Sequence, residues 1–150
     1  MITFQFETFA DIRAEVEPLL KRHWEEIALN KDSVPLDPDW EKYERINAAG
    51  LMHITTARRG GALVGYSAYF VSGNLHYRSL TVAESDIFWL APEERNGMTG
   101  IRLLQAAEEH LKARGVNKIV SKVKLHMDVG HVFTLLGYEP IERVYAKMVS

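Results

Sequence analysis

At 150 residues, 47% of them hydrophobic and 25% charged, the chain has the size and composition of one soluble domain with a genuine core. A net charge of -2 supplies neither the basic field that draws nucleic acid nor a strongly acidic surface. The absence of cysteine excludes disulfides, thiolate metal sites and a cysteine nucleophile, and it fits a reducing compartment.

MITFQFETF alternates apolar and polar residues, so residues 2–6 predict a strand and not the apolar stretch of a signal peptide. No apolar run approaches the roughly 20 residues of a membrane helix, and a soluble cytoplasmic protein is expected. Thr8 with Asp11 forms a weak capping box ahead of a helix. Its apolar positions Ile12, Val16, Leu19, Leu20, Trp24 and Ile27 run to about Asn30, and Pro18 either kinks it or begins a second helix. KDSVPLDPDW reads as a loop. Asp37 is expected to cap a short helix with Pro38 at its first position, and Gly50 to end it.

Residues 51–59 and 62–72 predict strands joined by a tight turn at Gly60-Gly61. GNLHYRSL, residues 73–80, is irregular. Residues 81–90 predict a strand that closes on IFWL and is stopped by Pro92. A helix follows over about 98–114, with Ile101, Leu104, Ala107 (or Glu108) and Leu111 facing the core and Gly115 in the stop position. A strand at 116–125, a short helix at 128–136 and a last strand at 138–149 complete the chain. No repeat or linker divides it, so a single domain over residues 1–150 is expected. Antiparallel strands followed by a β-α-β unit over 81–125 describe an α/β fold with a mixed sheet. Strands 81–90 and 116–125 should then lie parallel and adjacent, or nearly so.

Two stretches carry chemistry. In the first, Arg95-Asn96-Gly97-Met98-Thr99-Gly100 joins a buried strand to a helix. Its glycines permit a tight turn and a close approach of ligand to backbone. Free N–H groups at a helix start favour anions, phosphate above all, and Arg95 can add a charge-assisted contact. By spacing alone an ordinary glycine-containing turn fits equally well. In the second, KLHMDVGHVFTLLGYEP, His126, Asp128 and His131 are of metal-ligating type. His126 and His131 are separated by about 140° around a helix, however, so they share no face. No HExxH spacing occurs, and no metal is expected.

APEERNGMTGIRLL resembles the cofactor-binding motif, Arg/Gln-x-x-Gly-x-Gly/Ala, of the GNAT family of N-acetyltransferases. Arg95 and Gly100 fill its outer positions. Met98 stands where the inner glycine is usual, and Gly97 offers the turn one residue earlier. GVNKIVSKV at 115–123 is similar to the family's fifth strand, and LLGY at 135–138 to the ending of its last helix. The order of elements agrees along nearly the whole chain. The segments LNKDSVPLDPDW and HYRS look most like small stand-alone members encoded by bacteriophages, which implies a host bacterial cytoplasm.

The resemblance implies the acyl-CoA N-acyltransferase (GNAT) fold: a mixed, mostly antiparallel sheet, helices on both faces, and a splayed parallel strand pair that binds CoA. It implies transfer of an acetyl group from acetyl-CoA to a primary amine by direct attack, without a metal. The pyrophosphate would meet the backbone of Arg95, Asn96, Gly97, Met98, Thr99 and Gly100, with Ile101 just inside the helix. The pantetheine arm would pair with Phe88, Trp89 and Leu90. The family's usual acid, a tyrosine, falls on Phe133, which has no proton to donate. His126 occupies the place of a cofactor-contacting asparagine and is the nearest candidate to replace that acid. The base falls to a carboxylate of strand 81–90, Asp86 in preference to Glu84, raised in pKa by desolvation at the splay. Glu25, His76 and Tyr77 would meet the acceptor, a small molecule or a protein amine. Homodimers are common in the family; nucleic acid and membrane partners are not expected. The alternative is a CoA-binding or partner-binding module without catalysis, suggested by Phe133 and Met98.

Overall fold

The computed structural model describes residues 1–150. Strand β1 (Ile2–Phe6) leads into helix α1 (Phe9–Ile27). Thr8 opens that helix with a complete capping box: its N–H donates to Asp11 Oδ2 at 2.9 Å, and its hydroxyl accepts from the Asp11 N–H at 3.3 Å. Pro18 lies inside α1 without dividing it. The missing N–H costs one helical bond, but Ile12 and Val16 before it and His23 after it are buried against the rest of the protein. Helix α2 (Trp40–Ala48) starts later than its sequence suggests. Its cap is Asp39, not Asp37, because the Asp39 carboxylate accepts the Lys42 N–H at 2.9 Å.

Strands β2 (Met52–Arg59) and β3 (Ala62–Gly73) form a hairpin. Gly60 and Gly61 both have positive φ, +55° and +84°, as a type I′ turn requires. Strand β4 (Thr81–Leu90), a 3-10 turn (Pro92–Glu94), helix α3 (Thr99–Ala113) and strand β5 (Lys118–Val120) follow. A second 3-10 turn (Leu125–Met127) and helix α4 (Gly130–Leu135) come last. The five strands form one sheet in the order β1-β2-β3-β4-β5, antiparallel except for the parallel pair β4-β5. Helix α1 packs on one face, where Phe9, Ile12 and Val16 meet Met52, Ile54, Tyr66, Ala68 and Trp89, with α2 beside them. On the other face α3 buries Ala107 and Leu111 against Tyr69, Val71 and Ala83, and Leu103 against Ala57 and Leu90. This is the expected α/β GNAT-type architecture.

Three sequence expectations give way. Leu104, Ala107 and Leu111 are buried on α3 as expected, but the fourth buried position is Leu103, and Ile101 is only half-buried. The strand expected at 116–125 is limited to Lys118–Val120, because the Lys122 N–H donates to Ser85 Oγ at 2.9 Å instead of continuing the ladder. The strand expected at 138–149 does not form. Residues 139–150 are exposed, and the last backbone hydrogen bond of the chain runs from the Tyr138 N–H to the Phe133 carbonyl. A cavity of about 1240 Å³ separates β5 from the first half of this tail, so the alternating pattern has no strand edge within reach.

Candidate active site

The β4-β5 ladder has three pairs and stops at Glu84↔Val120. Beyond it the strands diverge. Phe88, Trp89 and Leu90 remain paired with Ser67, Tyr66 and Gly65 of β3, while the opposite edge of β4 has no strand beside it. An unpaired edge offers backbone groups to an extended ligand. One is already engaged: the Leu90 carbonyl accepts from Arg95 Nε at 2.8 Å. The Trp89 side chain is core and 3% exposed, so only its backbone is available to a ligand.

The open edge leads to the turn before α3. Asn96 Nδ2 donates to the Glu93 carbonyl at 3.0 Å and Thr99 Oγ1 to the Asn96 carbonyl at 3.2 Å, which shapes the turn from within. Gly97 has φ +58°, the left-handed region, and supplies the bend that the inner glycine gives elsewhere. Helix α3 has no side-chain cap and no acid in its first turn. The N–H groups of Asn96, Gly97, Met98, Gly100 and Ile101 donate to no protein acceptor. Together with the positive end of the helix dipole they favour a negative charge at this turn. Gly100 is informative in a different way. A Cβ there would meet nothing closer than Phe88 Cζ at 3.9 Å, so neither packing nor φ demands glycine. A ligand approaching the backbone would. Arg95 does not project freely beside this turn: its guanidinium grips Glu26 of α1 at 2.5 and 2.9 Å.

The two carboxylates of β4 stand in different surroundings. The β3-β4 register slips where Ala68 pairs with Ile87 and Tyr69 with Ser85, which leaves Asp86 as the extra residue of a bulge. Bulges re-aim side chains. Here the bulge turns Asp86 toward α2, where Tyr43 Oη donates to its Oδ2 at 2.8 Å. Burial pushes the Asp86 carboxyl above its ordinary range, against the opposing pull of Tyr43 and Lys122. Glu84 sits two residues away in an exposed ion pair with Lys122 at 2.6 Å. The structure therefore places a half-buried carboxylate of raised pKa at the point where the strands part.

His126 is on the 3-10 turn after β5, and its Nε2 donates to the Ile27 carbonyl at the end of α1, 2.8 Å away. Phe133 is buried and meets Phe88 and Tyr138 edge-on, with centroids at 6.3 and 5.3 Å. It is a packing residue. Asp128 accepts the Gly130 N–H at 2.7 Å and shapes the entry to α4, while His131 is exposed; with His126 they form no common ligand set. His76 and Tyr77 lie on the exposed loop before β4, where both N–H groups donate to Asn74 Oδ1. That loop is at the opposite end of β4 from the glycine turn, with Thr81 roughly 17 Å from Asp86 along the strand. Glu25 is exposed on α1, and its carbonyl accepts from Lys31 of the following loop.

Sequence reasoning did not find Tyr43, Glu26 or the buried pair of His23 and Tyr66, whose Nδ1 and Oη are 3.1 Å apart beneath Trp89. Tyr43 and Glu26 occupy ordinary helical positions, and nothing in their local spacing announces a partner 43 or 69 residues away.

The sequence matches the Acetyltransferase (GNAT) family over residues 14–138. The chain belongs to the GNAT acetyltransferase family. Members of this family use acetyl-CoA. Solved GNAT-type structures share the fold along the whole length. An aminoglycoside acetyltransferase from an uncultured soil metagenomic sample superposes with a TM-score of 0.76 at 16% identity, covering 100% of this chain and 99% of that one. A predicted acetyltransferase with acetyl-CoA from Clostridium acetobutylicum gives 0.72 at 13% identity, covering 99% and 97%. Glucosamine-6-phosphate N-acetyltransferase from Arabidopsis thaliana gives 0.71 at 13% identity, covering 99% of each chain. At such identities the likeness concerns the fold. No curated protein matches the sequence.

Proposed function

We propose that this GNAT protein transfers the acetyl group of acetyl-CoA to a primary amine by direct attack. The observation that carries the reading is the continuity of three features: the uncapped turn 96–101, the open edge of β4, and Asp86 where β4 and β5 part. The pyrophosphate takes the free N–H groups of the turn 96–101, with Arg95 at its start, and the pantetheine arm runs along the backbone of Phe88, Trp89 and Leu90. The amine nitrogen then attacks the thioester carbonyl carbon. The carbon–sulfur bond breaks, CoA leaves as thiolate, and the amine's proton passes to Asp86 as general base. Glu84, held by Lys122, is the reserve carboxylate. His126 is the candidate acid for the thiolate; to serve, it must release the Ile27 carbonyl.

A cationic acceptor is supported by residues 25–44, which carry seven carboxylates against two lysines. Glu25 belongs to that segment, and His76 and Tyr77, on the loop at the far end of β4, would meet only an acceptor large enough to span that distance. The acceptor is a small molecule or a protein amine. We take the 150 residues to work as one domain, without a metal, and the segments LNKDSVPLDPDW and HYRS to mark a bacteriophage-encoded enzyme of the host bacterial cytoplasm. No helix is long and apolar enough to cross a membrane.

Calorimetric titration with acetyl-CoA, followed by a thiol-release assay against a panel of amines, tests the proposal. The chain has no cysteine, so all thiol signal comes from CoA. Saturable binding and amine-dependent release are expected. Binding without release from any amine would favour the non-catalytic module, and absence of binding would remove the cofactor site itself.

A further inference from the structure

The last turns of α1 are fastened to the turn before α3 by two crossed ion pairs. Arg22 Nη2 is 3.1 Å from Glu93 Oε2. Glu26, four residues further along the same face of the helix, holds Arg95 Nη2 with both carboxylate oxygens, at 2.5 and 2.9 Å. The next residue, Ile27, accepts His126 Nε2 from the turn after β5. The end of α1 therefore touches both walls of the gap that opens where β4 and β5 part, and Glu26 stands at that gap.

Glu26 is not needed to orient Arg95. Arg95 Nε already donates to the Leu90 carbonyl at 2.8 Å, which fixes the guanidinium plane, and Nη1 has no protein acceptor. What Glu26 adds is a negative charge beside a turn whose free N–H groups favour anions. Arginine holds phosphate through two parallel N–H bonds. With Nε committed to Leu90, the one fork left is Nη1 with Nη2, and Glu26 occupies Nη2. A bidentate phosphate contact must displace Glu26.

We infer that Arg95 exchanges partners: the cofactor's diphosphate takes the guanidinium fork, and the released Glu26 carboxylate turns to the gap, where it holds a cationic group of the acceptor. The inference rests on the acetyl-transfer reading and gives it a specificity residue. The attacking amine must be neutral, so the cation held by Glu26 is a second basic group, and the acceptor class is amines that carry at least two. The pair of Arg22 and Glu93 keeps α1 in place during the exchange.

Calorimetry with CoA tests the exchange without turnover. Glu26→Gln removes the competitor and should bind CoA about fivefold more tightly, the scale of a partly exposed ion pair. If Glu26 merely positioned Arg95, the sign would be opposite, so an unchanged or lower affinity overturns the exchange. Two further variants separate a partner from a general field. Glu93→Gln removes the same charge from the neighbouring pair and should gain less. In the Arg95→Gln background, Glu26→Gln should gain nothing. An equal gain in either case overturns the exchange. A wild type that binds no CoA removes the cofactor reading itself, and the exchange with it. The acceptor half is read in the thiol-release assay. Diamines should show a KM about tenfold below that of monoamines of equal length, and Glu26→Gln should remove the difference with kcat little changed. Equal KM values in the wild type, or a difference that survives Glu26→Gln, would mean that the freed carboxylate turns to Lys124, whose charge acts on His23 together with those of Glu26 and Arg95, and the acceptor half fails.

Discussion

Asp86 and Glu84 show how one bulge separates two similar residues. Glu84 remains in the regular ladder, exposed, with an ammonium group 2.6 Å away. Asp86 is the extra residue, half-buried, with a phenol as its one hydrogen-bond donor. Burial disfavours the charged form of Asp86 and raises its affinity for a proton, which suits a general base. Asp86→Asn should lower kcat by about 10²-fold or more, the usual range for a general base, and leave acetyl-CoA affinity nearly unchanged. An unchanged kcat would transfer the role to Glu84 or to water. Tyr43→Phe gives a more specific readout. The tyrosine proton stabilises the ionised carboxylate, so its removal raises the Asp86 pKa further. The base works when ionised, and the acid limb of the kcat/KM profile should therefore move to higher pH. A limb that stays in place would mean that Asp86 is not the group titrating there. The candidacy of Asp86 as base came from the family resemblance, and its place on a strand was legible in the sequence. The bulge and Tyr43 were not, because both depend on cross-strand register and on a helix 43 residues away in the chain.

At the scale of elements, the start of α3 makes two glycines distinguishable. Gly97 is needed by the fold, since its φ of +58° costs a side chain about 1–2 kcal/mol. Gly100 is free of both strain and contact, so Gly100→Ala should fold with an unchanged melting temperature. Gly100→Glu adds a carboxylate among the uncapped N–H groups and should weaken acetyl-CoA binding by roughly 100-fold or more, by occupying the dipole and repelling phosphate. Calorimetry on a variant of normal stability checks this, and retained affinity would detach residues 95–101 from the phosphate site. The same scale explains what was readable beforehand. Helices α1 and α3 and the β2-β3 hairpin were, because periodicity and turn residues are local. The cap of α2 was two residues out, since Asp37 and Asp39 are equivalent until one of them reaches the Lys42 N–H. Strand β5 and the tail failed for a different reason. Alternation belongs to one segment, but a strand belongs to a pair, and residues 143–148 have the first without the second.

For the molecule as a whole, two buried histidines couple stability to pH. His23 is enclosed between α1 and the sheet against Tyr66 and Trp89. His53 lies on the other side of the sheet, with its Nδ1 3.3 Å from Arg114 and its Nε2 3.3 Å from Thr55 Oγ1. Burial lowers each from the usual 6.5 to about 4, with Arg95 and Lys124 adding to the effect at His23 and Arg114 and His110 at His53. The unfolded chain therefore binds protons near pH 6.5 that the folded chain refuses until about pH 4. Stability is fully present above 6.5 and falls through that window, by about 1.4 kcal/mol per pH unit for each histidine once the unfolded side chain is protonated. Asp86 and Glu108 act in the opposite sense, because burial raises their pKa and the folded chain gains protons there first; their shifts are the smaller ones. Below the ordinary carboxylate range Glu15 adds a second loss, as protonation breaks its pairing with Arg58. Urea midpoints measured from pH 7 down to pH 4 should decline steadily, and the decline should begin near 6.5, before any surface carboxylate titrates. His53→Gln keeps a polar side chain beside Thr55 and Arg114 but takes up no proton, so it should remove about half of the slope in that window. An unaltered slope would assign the proton uptake to other groups and leave His53 neutral for packing alone.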